Sequence, residues 1–228
     1  MIEVNRVEKK YIIDPVSMEN MKHNLRRVMT DDHHNKESGY MVRSLYFDSF
    51  DNTDYHSKID GLDVRKKIRL RIYSPDDETA KLEVKEKNGG MQRKRSLVIP
   101  RDDAEKMIRG DYSCLLKTDD SFSNSLYLVM TTGLYRPRCI VEYDRYAFVH
   151  CDNNIRVTFD TNLRGSAAFD ALFNKNPFCL PAAPSSDITL EVKYDGFLLS
   201  GIKSVIGDRL VNVISNSKYC RIRSYFGY

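Results

Sequence analysis

The seven residues Lys81-Leu82-Glu83-Val84-Lys85-Glu86-Lys87 constrain this chain more than any other stretch. Successive side chains of a β-strand point to opposite faces, so Leu82 and Val84 share one face while Lys81, Glu83, Lys85 and Lys87 share the other. Three lysines around one glutamate repel one another unless water or an anion lies against them. The pattern recurs. Arg6, Glu8 and Lys10 share a face, as do Lys67, Arg69 and Arg71, then Arg156, Thr158 and Asp160, then Glu191 and Lys193. Apolar residues alternate with these charges, which requires a sheet with one face on a core and the other polar.

Any one polar face fits the solvent side of an ordinary sheet. Taken together the faces are biased: Arg6, Lys10, Arg69, Arg71, Lys81, Lys85, Arg145, Arg156 and Lys193 outnumber Glu8, Glu83 and Glu191. Alternate residues on one face stand about 7 Å apart, a spacing that suits successive phosphates of a chain. Glutamates set among cations can hold a divalent metal that in turn coordinates phosphate oxygens. A sheet closed with these faces inward would line a hydrated pore with charge, and a bound polyphosphate with its metal would relieve the repulsion. An open sheet with a basic face satisfies the same composition.

The chain has 228 residues, 41% hydrophobic and 30% charged, which fits a globular protein and excludes a disordered one. A net charge of +4 is mild, so an anion site must come from local clustering. The N-terminus has no apolar signal region, and no stretch approaches the length of a membrane span. Five cysteines without a CxxC pair point to reduced thiols and a cytoplasmic location.

The first strand is expected from Glu3 to Ile13. Asp14-Pro15 then starts a helix that Met18, Met21, Leu25 and Val28 carry to about Met29. Asp31 to Gly39 reads as a mobile polar loop; of the two readings of its neighbours His33 and His34, metal ligands or solvated loop histidines, the second is favoured because no partner stands at ligand spacing. Further strands are expected near Tyr40–Asp48, Val64–Ser74, Thr79–Asn88, Met91–Ile99, Arg138–His150, Asn154–Asn162 and Ile188–Asp195. Pro75-Asp76-Asp77 and Asn88-Gly89-Gly90 supply turns in the central meander. Helices are expected near Arg101–Arg109, Phe122–Thr132, Leu198–Ile206 and Ser217–Ile222, and a long loop at Gly165–Asp187. With no repeat or linker evident, 1–228 reads as a single α+β domain around an antiparallel sheet or barrel. The aromatics Tyr46, Phe47, Tyr143 and Tyr146 lie in apolar strand patterns and suit core packing, which argues against nucleic acid as a partner.

Eight blocks, in order, carry a family resemblance: Arg6-Val7-Glu8-Lys9-Lys10-Tyr11, Ser44-Leu45-Tyr46-Phe47-Asp48, Lys67-Ile68-Arg69-Leu70-Arg71, Lys81 to Lys87, Glu142-Tyr143-Asp144-Arg145, Arg156-Val157-Thr158-Phe159-Asp160, Leu190-Glu191-Val192-Lys193 and Ser217-Lys218-Tyr219. They span nearly the whole chain, which resembles the vacuolar transporter chaperone (VTC) domain, a branch of the triphosphate tunnel metalloenzymes. The resemblance implies an eight-stranded antiparallel β-barrel with flanking helices and a charged central tunnel. It implies a polyphosphate polymerase that moves the γ-phosphate of ATP to a polyphosphate chain with Mn²⁺ or Mg²⁺. Lys10, Arg69, Arg71, Lys81, Arg145 and Arg156 would bind phosphates, with Lys85, Lys94 and Lys193 as further cations and Lys218 as a cap. Glu191 would hold the metal, helped by Glu8 and Glu83. Related CYTH hydrolases begin Glu-x-Glu-x-Lys, whereas this chain has Arg6-x-Glu8-x-Lys10, and losing the first glutamate favours the VTC branch. The alternatives are a triphosphatase or polyphosphatase on the same tunnel, where Glu8 or Glu83 would activate water, and a polyphosphate- or nucleotide-binding module without turnover. With no span of its own, the chain would rely on a membrane-protein partner for any membrane role.

Overall fold

A computed structural model describes residues 6–89, 91–117, 120–207, 213–215 and 217–227. In chain order the elements are β1 (Arg6–Ile13), α1 (Pro15–Leu25), β2 (Thr30–Asp31), β3 (Tyr40–Asp48), α2 (Thr53–Ile59), β4 (Arg65–Ile72), β5 (Thr79–Asn88), β6 (Met91–Pro100), α3 (Arg101–Ile108), α4 (Ser121–Thr132), β7 (Arg136–His150), β8 (Ile155–Ser166), β9 (Leu180–Pro181), β10 (Ile188–Asp195), α5 (Ser200–Ile206) and α6 (Lys218–Phe226). Short 3₁₀ turns lie at Ser113–Leu116, Asp152–Asn154 and Phe169–Phe173. The expectations for Glu3 to Asn5 and for Gly90 fall outside the described residues.

The chain sorts into two compact units. The first takes Met1–Met41, Tyr143–Leu163 and Ala183–Ser217, and the second takes Val42–Glu142, Arg164–Ala182 and Lys218–Tyr228. In the first unit the strand order is β1-β10-β8-β7, with β2 also on β7. Tyr11, Leu25, Phe148, Val157, Phe159 and Leu190 are among its core residues, one face of each strand. In the second unit the order is β7-β3-β4-β5-β6, with β9 on β8. Leu45, Phe47, Ile68, Leu70, Leu82 and Val84 pack there against residues of α3 and α4. The period-two alternation read from the sequence is what puts these residues inside and their charged neighbours on the opposite face.

Asp14 caps α1 as expected: its carboxylate accepts the Ser17 N–H at 2.9 Å and the Ser17 hydroxyl at 2.6 Å. The helix ends at Leu25, short of Met29. Arg27 and Val28 donate three residues back, to Asn24 and Leu25, so the last turn tightens and delivers Met29 into the core. The Asp31–Gly39 segment is not the mobile loop expected. Thr30 and Asp31 pair with Val149 and Phe148, and the Asn35 side chain both donates to the Ala147 carbonyl at 2.7 Å and accepts the Ala147 N–H at 3.1 Å. A side-chain amide thus replaces a strand's backbone, a substitution that hydrophobic periodicity cannot reveal. Gly39 (φ 98°) closes this segment against the Arg145 carbonyl, where a Cβ would clash. β8 runs four residues past the expected end at Asn162. That asparagine takes a left-handed conformation (φ 53°), donates from its side chain to Asp144 at 2.8 Å, and lets the strand continue.

Candidate functional site

In the first unit, register brings the predicted residues side by side. Glu8 pairs with Lys193 and Lys193 with Arg156; Lys10 pairs with Glu191 and Glu191 with Thr158. The Lys10 ammonium lies 3.2 Å from both Glu8 and Glu191, and Lys193 lies 3.2 Å from Glu191. Arg145, on β7, forks onto Asp160 at 2.6 and 2.8 Å and reaches Glu191 at 3.5 Å. Lys10, Glu8, Glu191, Lys193 and Arg145 therefore form one cluster. Arg156 turns elsewhere: it donates to Asp32 at 2.8 Å and to the Tyr40 hydroxyl at 3.0 Å.

The charges in this cluster tune one another. Burial disfavours the Lys10 ammonium, but Glu191 and Glu8 outweigh it and hold its pKa above the usual lysine value. Burial dominates at Lys193, where the opposing pull of Glu191 and Glu8 is too weak, and its pKa falls to about 8. Burial and the adjacent Glu191 push the Glu8 carboxyl up, yet Lys193 and Lys10 prevail and hold it below the usual carboxylate range. Asp160 keeps the Arg145 guanidinium charged despite its burial.

The second unit holds a different arrangement around one buried carboxylate. Glu83 is 3% exposed, and Arg69 donates to its Oε2 from Nε at 2.8 Å and from a terminal nitrogen at 2.7 Å. Arg71 reaches the same oxygen at 3.5 Å and Lys94 pairs with the other. Burial would raise the Glu83 pKa, but Arg69, Arg71 and Lys94 drive it far below the usual carboxylate range. Arg69 also donates to the Tyr46 hydroxyl at 2.7 Å, and Arg71 to Ser44 at 3.2 Å. Lys85 stands in register between Lys67 and Lys94 on this face. Lys81 pairs with Arg71, is exposed, and lies 5.3 Å over the Tyr73 ring. Lys218 is half-buried at the start of α6.

Several residues at these clusters were missed as functional. Tyr46 is buried, as its apolar strand pattern implies, but its strand phase also places it with Ser44 on the charged face, beneath Arg69. Tyr219 stacks on Tyr46 (4.8 Å, 18°) and donates to the buried Asp48 at 2.6 Å. Asp160 shares the Arg156 face by spacing alone, so the sequence held that signal. Asp32 had none, because its contact with Arg156 spans a large sequence separation.

Hard divalent cations take oxygen ligands, and the first unit offers them. The Glu8 and Glu191 carboxyls lie against each other, and the Thr158 hydroxyl, in register with Glu191, is buried with no hydrogen-bond partner. These three oxygens fit Mg²⁺ or Mn²⁺. Glu83 fits less well, since both of its oxygens already meet cations.

The VTC domain family matches residues 5–226 of the chain. No curated protein sequence matches it. Two solved structures share its fold at low identity. A candidate adenylyl cyclase from Hippeastrum, with a dominant triphosphatase activity, is 12% identical over 96% of each chain, with a TM-score of 0.58. A candidate adenylate cyclase from Bacillus halodurans is 10% identical, covering 93% of this chain and 95% of its own, with a TM-score of 0.53. The expected fold class is thereby borne out: α+β, with eight antiparallel strands of the CYTH-like tunnel type. No helix among the described residues is long and apolar enough to cross a membrane.

Proposed function

The chain belongs to the VTC domain family, and from that premise we propose that it is a metal-dependent polyphosphate polymerase. In this reading 1–228 is one VTC-type domain that transfers the γ-phosphate of ATP to a polyphosphate chain. The observation that carries it is the set of strand-borne guanidiniums, Arg69, Arg71 and Arg145, each held by carboxylates on a charged sheet face. Phosphoryl transfer needs positioning and charge on the equatorial oxygens rather than covalent chemistry from the protein. Arg69, Arg71, Lys81 and Arg145 supply that charge, and Lys10, Lys85, Lys94, Lys193 and Lys218 extend it along the phosphates, while Arg156 is engaged by Asp32 and Tyr40. Mn²⁺ or Mg²⁺ held by Glu191 and Glu8 would neutralise phosphate charge. Glu83 serves instead to orient Arg69 and Arg71.

The acceptor is a phosphate end, already ionised, so transfer needs no general base. Hydrolysis does, and the candidates for it are Glu8 and Glu83, whose carboxyls are held below the usual range by the cations beside them. The second reading, a triphosphatase, draws on the Hippeastrum protein's dominant triphosphatase activity. ATP as donor and reduced thiols fit a cytoplasmic site of action. The test is incubation of the purified protein with ATP and Mn²⁺. Long-chain polyphosphate with ADP supports the polymerase, whereas free phosphate without polymer replaces it with the hydrolase. Tight ATP binding with neither product leaves a binding module.

A further inference from the structure

We propose that Asp32, His33 and His34 form a binding site for a late first-row divalent ion of the Zn²⁺ class. One donor atom from each residue lies within 4.8 Å of the other two. The Asp32 Oδ1 to His33 Nδ1 distance is 3.6 Å, too long for a hydrogen bond. It is close to the edge of roughly 3.4 Å that a tetrahedron with metal–ligand bonds of about 2.1 Å requires. The two imidazoles pack with centroids 3.8 Å apart and planes tilted by 41°, so both rings sit together.

The backbone under these ligands is already fixed. Asp32 donates its N–H to the Ala147 carbonyl at 2.9 Å, Asn35 donates to the Asp32 carbonyl at 2.8 Å, and the Asn35 side chain ties the corner to β7. The Asp32 carboxylate is 3% exposed and oriented from both sides. Its Oδ1 accepts the His34 N–H at 3.0 Å, and its Oδ2 accepts from Arg156 at 2.8 Å. Outer partners of this kind fix a ligating carboxylate before the ion arrives. Both histidines are exposed, which leaves a fourth position open to water. Two imidazoles and one carboxylate suit Zn²⁺, Ni²⁺ or Cu²⁺ better than Mg²⁺ or Mn²⁺, so the site is chemically distinct from the Glu8 and Glu191 oxygens.

A second corner, His150-Cys151-Asp152, also brings three donors within 4.8 Å. There His150 Nδ1 accepts the Asp152 N–H at 3.1 Å and the Cys151 thiol points to Asp152 at 3.7 Å, so its donors satisfy one another.

The test is calorimetric titration of the untagged, reduced protein with Zn²⁺ in excess Mg²⁺, with Co²⁺ absorption as a second readout. The wild type should bind an ion at this corner. His33→Gln and His34→Gln, both at exposed positions that keep the fold, should each weaken binding roughly tenfold or more and lose the Co²⁺ bands. Cys151→Ser should change nothing. Equal affinity in wild type and both histidine variants, displacement of Zn²⁺ by Mg²⁺, or loss of binding in Cys151→Ser would each overturn the assignment.

Discussion

Arg69 engages two partners with one guanidinium: two nitrogens on Glu83 and the third on the Tyr46 hydroxyl. A lysine keeps the charge but cannot hold that fork. Hydrogen bonds to charged groups contribute about 1.5–3 kcal/mol, so Arg69→Lys should lower kcat/KM for ATP by roughly ten- to a hundredfold. Unchanged turnover would remove Arg69 from the site. Lys193 gives a pH signature. Its pKa near 8 means the ammonium is present below that pH and lost above it. Tripolyphosphate affinity should therefore fall as pH rises from about 7 to 9. Lys193→Arg, which does not titrate there, should flatten the profile when binding is followed by calorimetry. An equally steep fall in the arginine variant would mean that another group titrates. Period two was enough to place Lys10, Arg69, Glu83 and Glu191 on charged faces, because neighbours in a strand fix one another's direction. It could not say that Arg156 turns to Asp32, or that Glu83 is saturated by three cations, since those contacts depend on register between distant segments.

Elements whose ends coincide with a change of pattern were legible to the residue: β3, β5 and β10 begin and end where the alternation does. The 3₁₀ turn at Ser113–Leu116 was not, because four residues are too few to show a helical period. α6 was expected from Ser217 to Ile222 but runs from Lys218 to Phe226, and its anchor explains why it lies where it does. Tyr219 is fully buried, with its ring on Tyr46 and its hydroxyl on Asp48. Asp48 also accepts the N–H groups of Ser49, Asp54 and Tyr55, so one carboxylate ties the start of α2 to α6. Tyr219→Phe removes one bond from a buried carboxylate that keeps three others. The expected cost is about 1–3 kcal/mol, read as a fall in Tm of several degrees. Amide exchange should quicken in α6 first, because the lost bond is its link to β3. A variant with wild-type Tm and unaltered exchange would show that stacking on Tyr46 alone holds the helix.

Across the whole molecule the charge is nearly balanced, with 36 Lys and Arg against 32 Asp and Glu. Affinity for an anion must then come from where the cations stand. In each unit they stand against one another: Lys10 and Lys193 crowd Glu191, while Arg69, Arg71 and Lys94 crowd Glu83. A polyanion that met these cations would bind the folded chain and find no such arrangement in the unfolded one. Mass action gives about 2.7 kcal/mol of added stability at a hundredfold excess over Kd, or a rise in Tm of roughly 5–10 °C for a chain of this size. Differential scanning calorimetry with tripolyphosphate should show that rise at low ionic strength. The rise should shrink as salt increases, since partly exposed charges are screened over about 10 Å at 0.1 M. Sulfate at equal ionic strength should give much less, because a single tetrahedral anion cannot span alternate residues about 7 Å apart. If sulfate matched tripolyphosphate, the faces would be recognising charge density without chain length, and a polymer substrate would lose its main physical support.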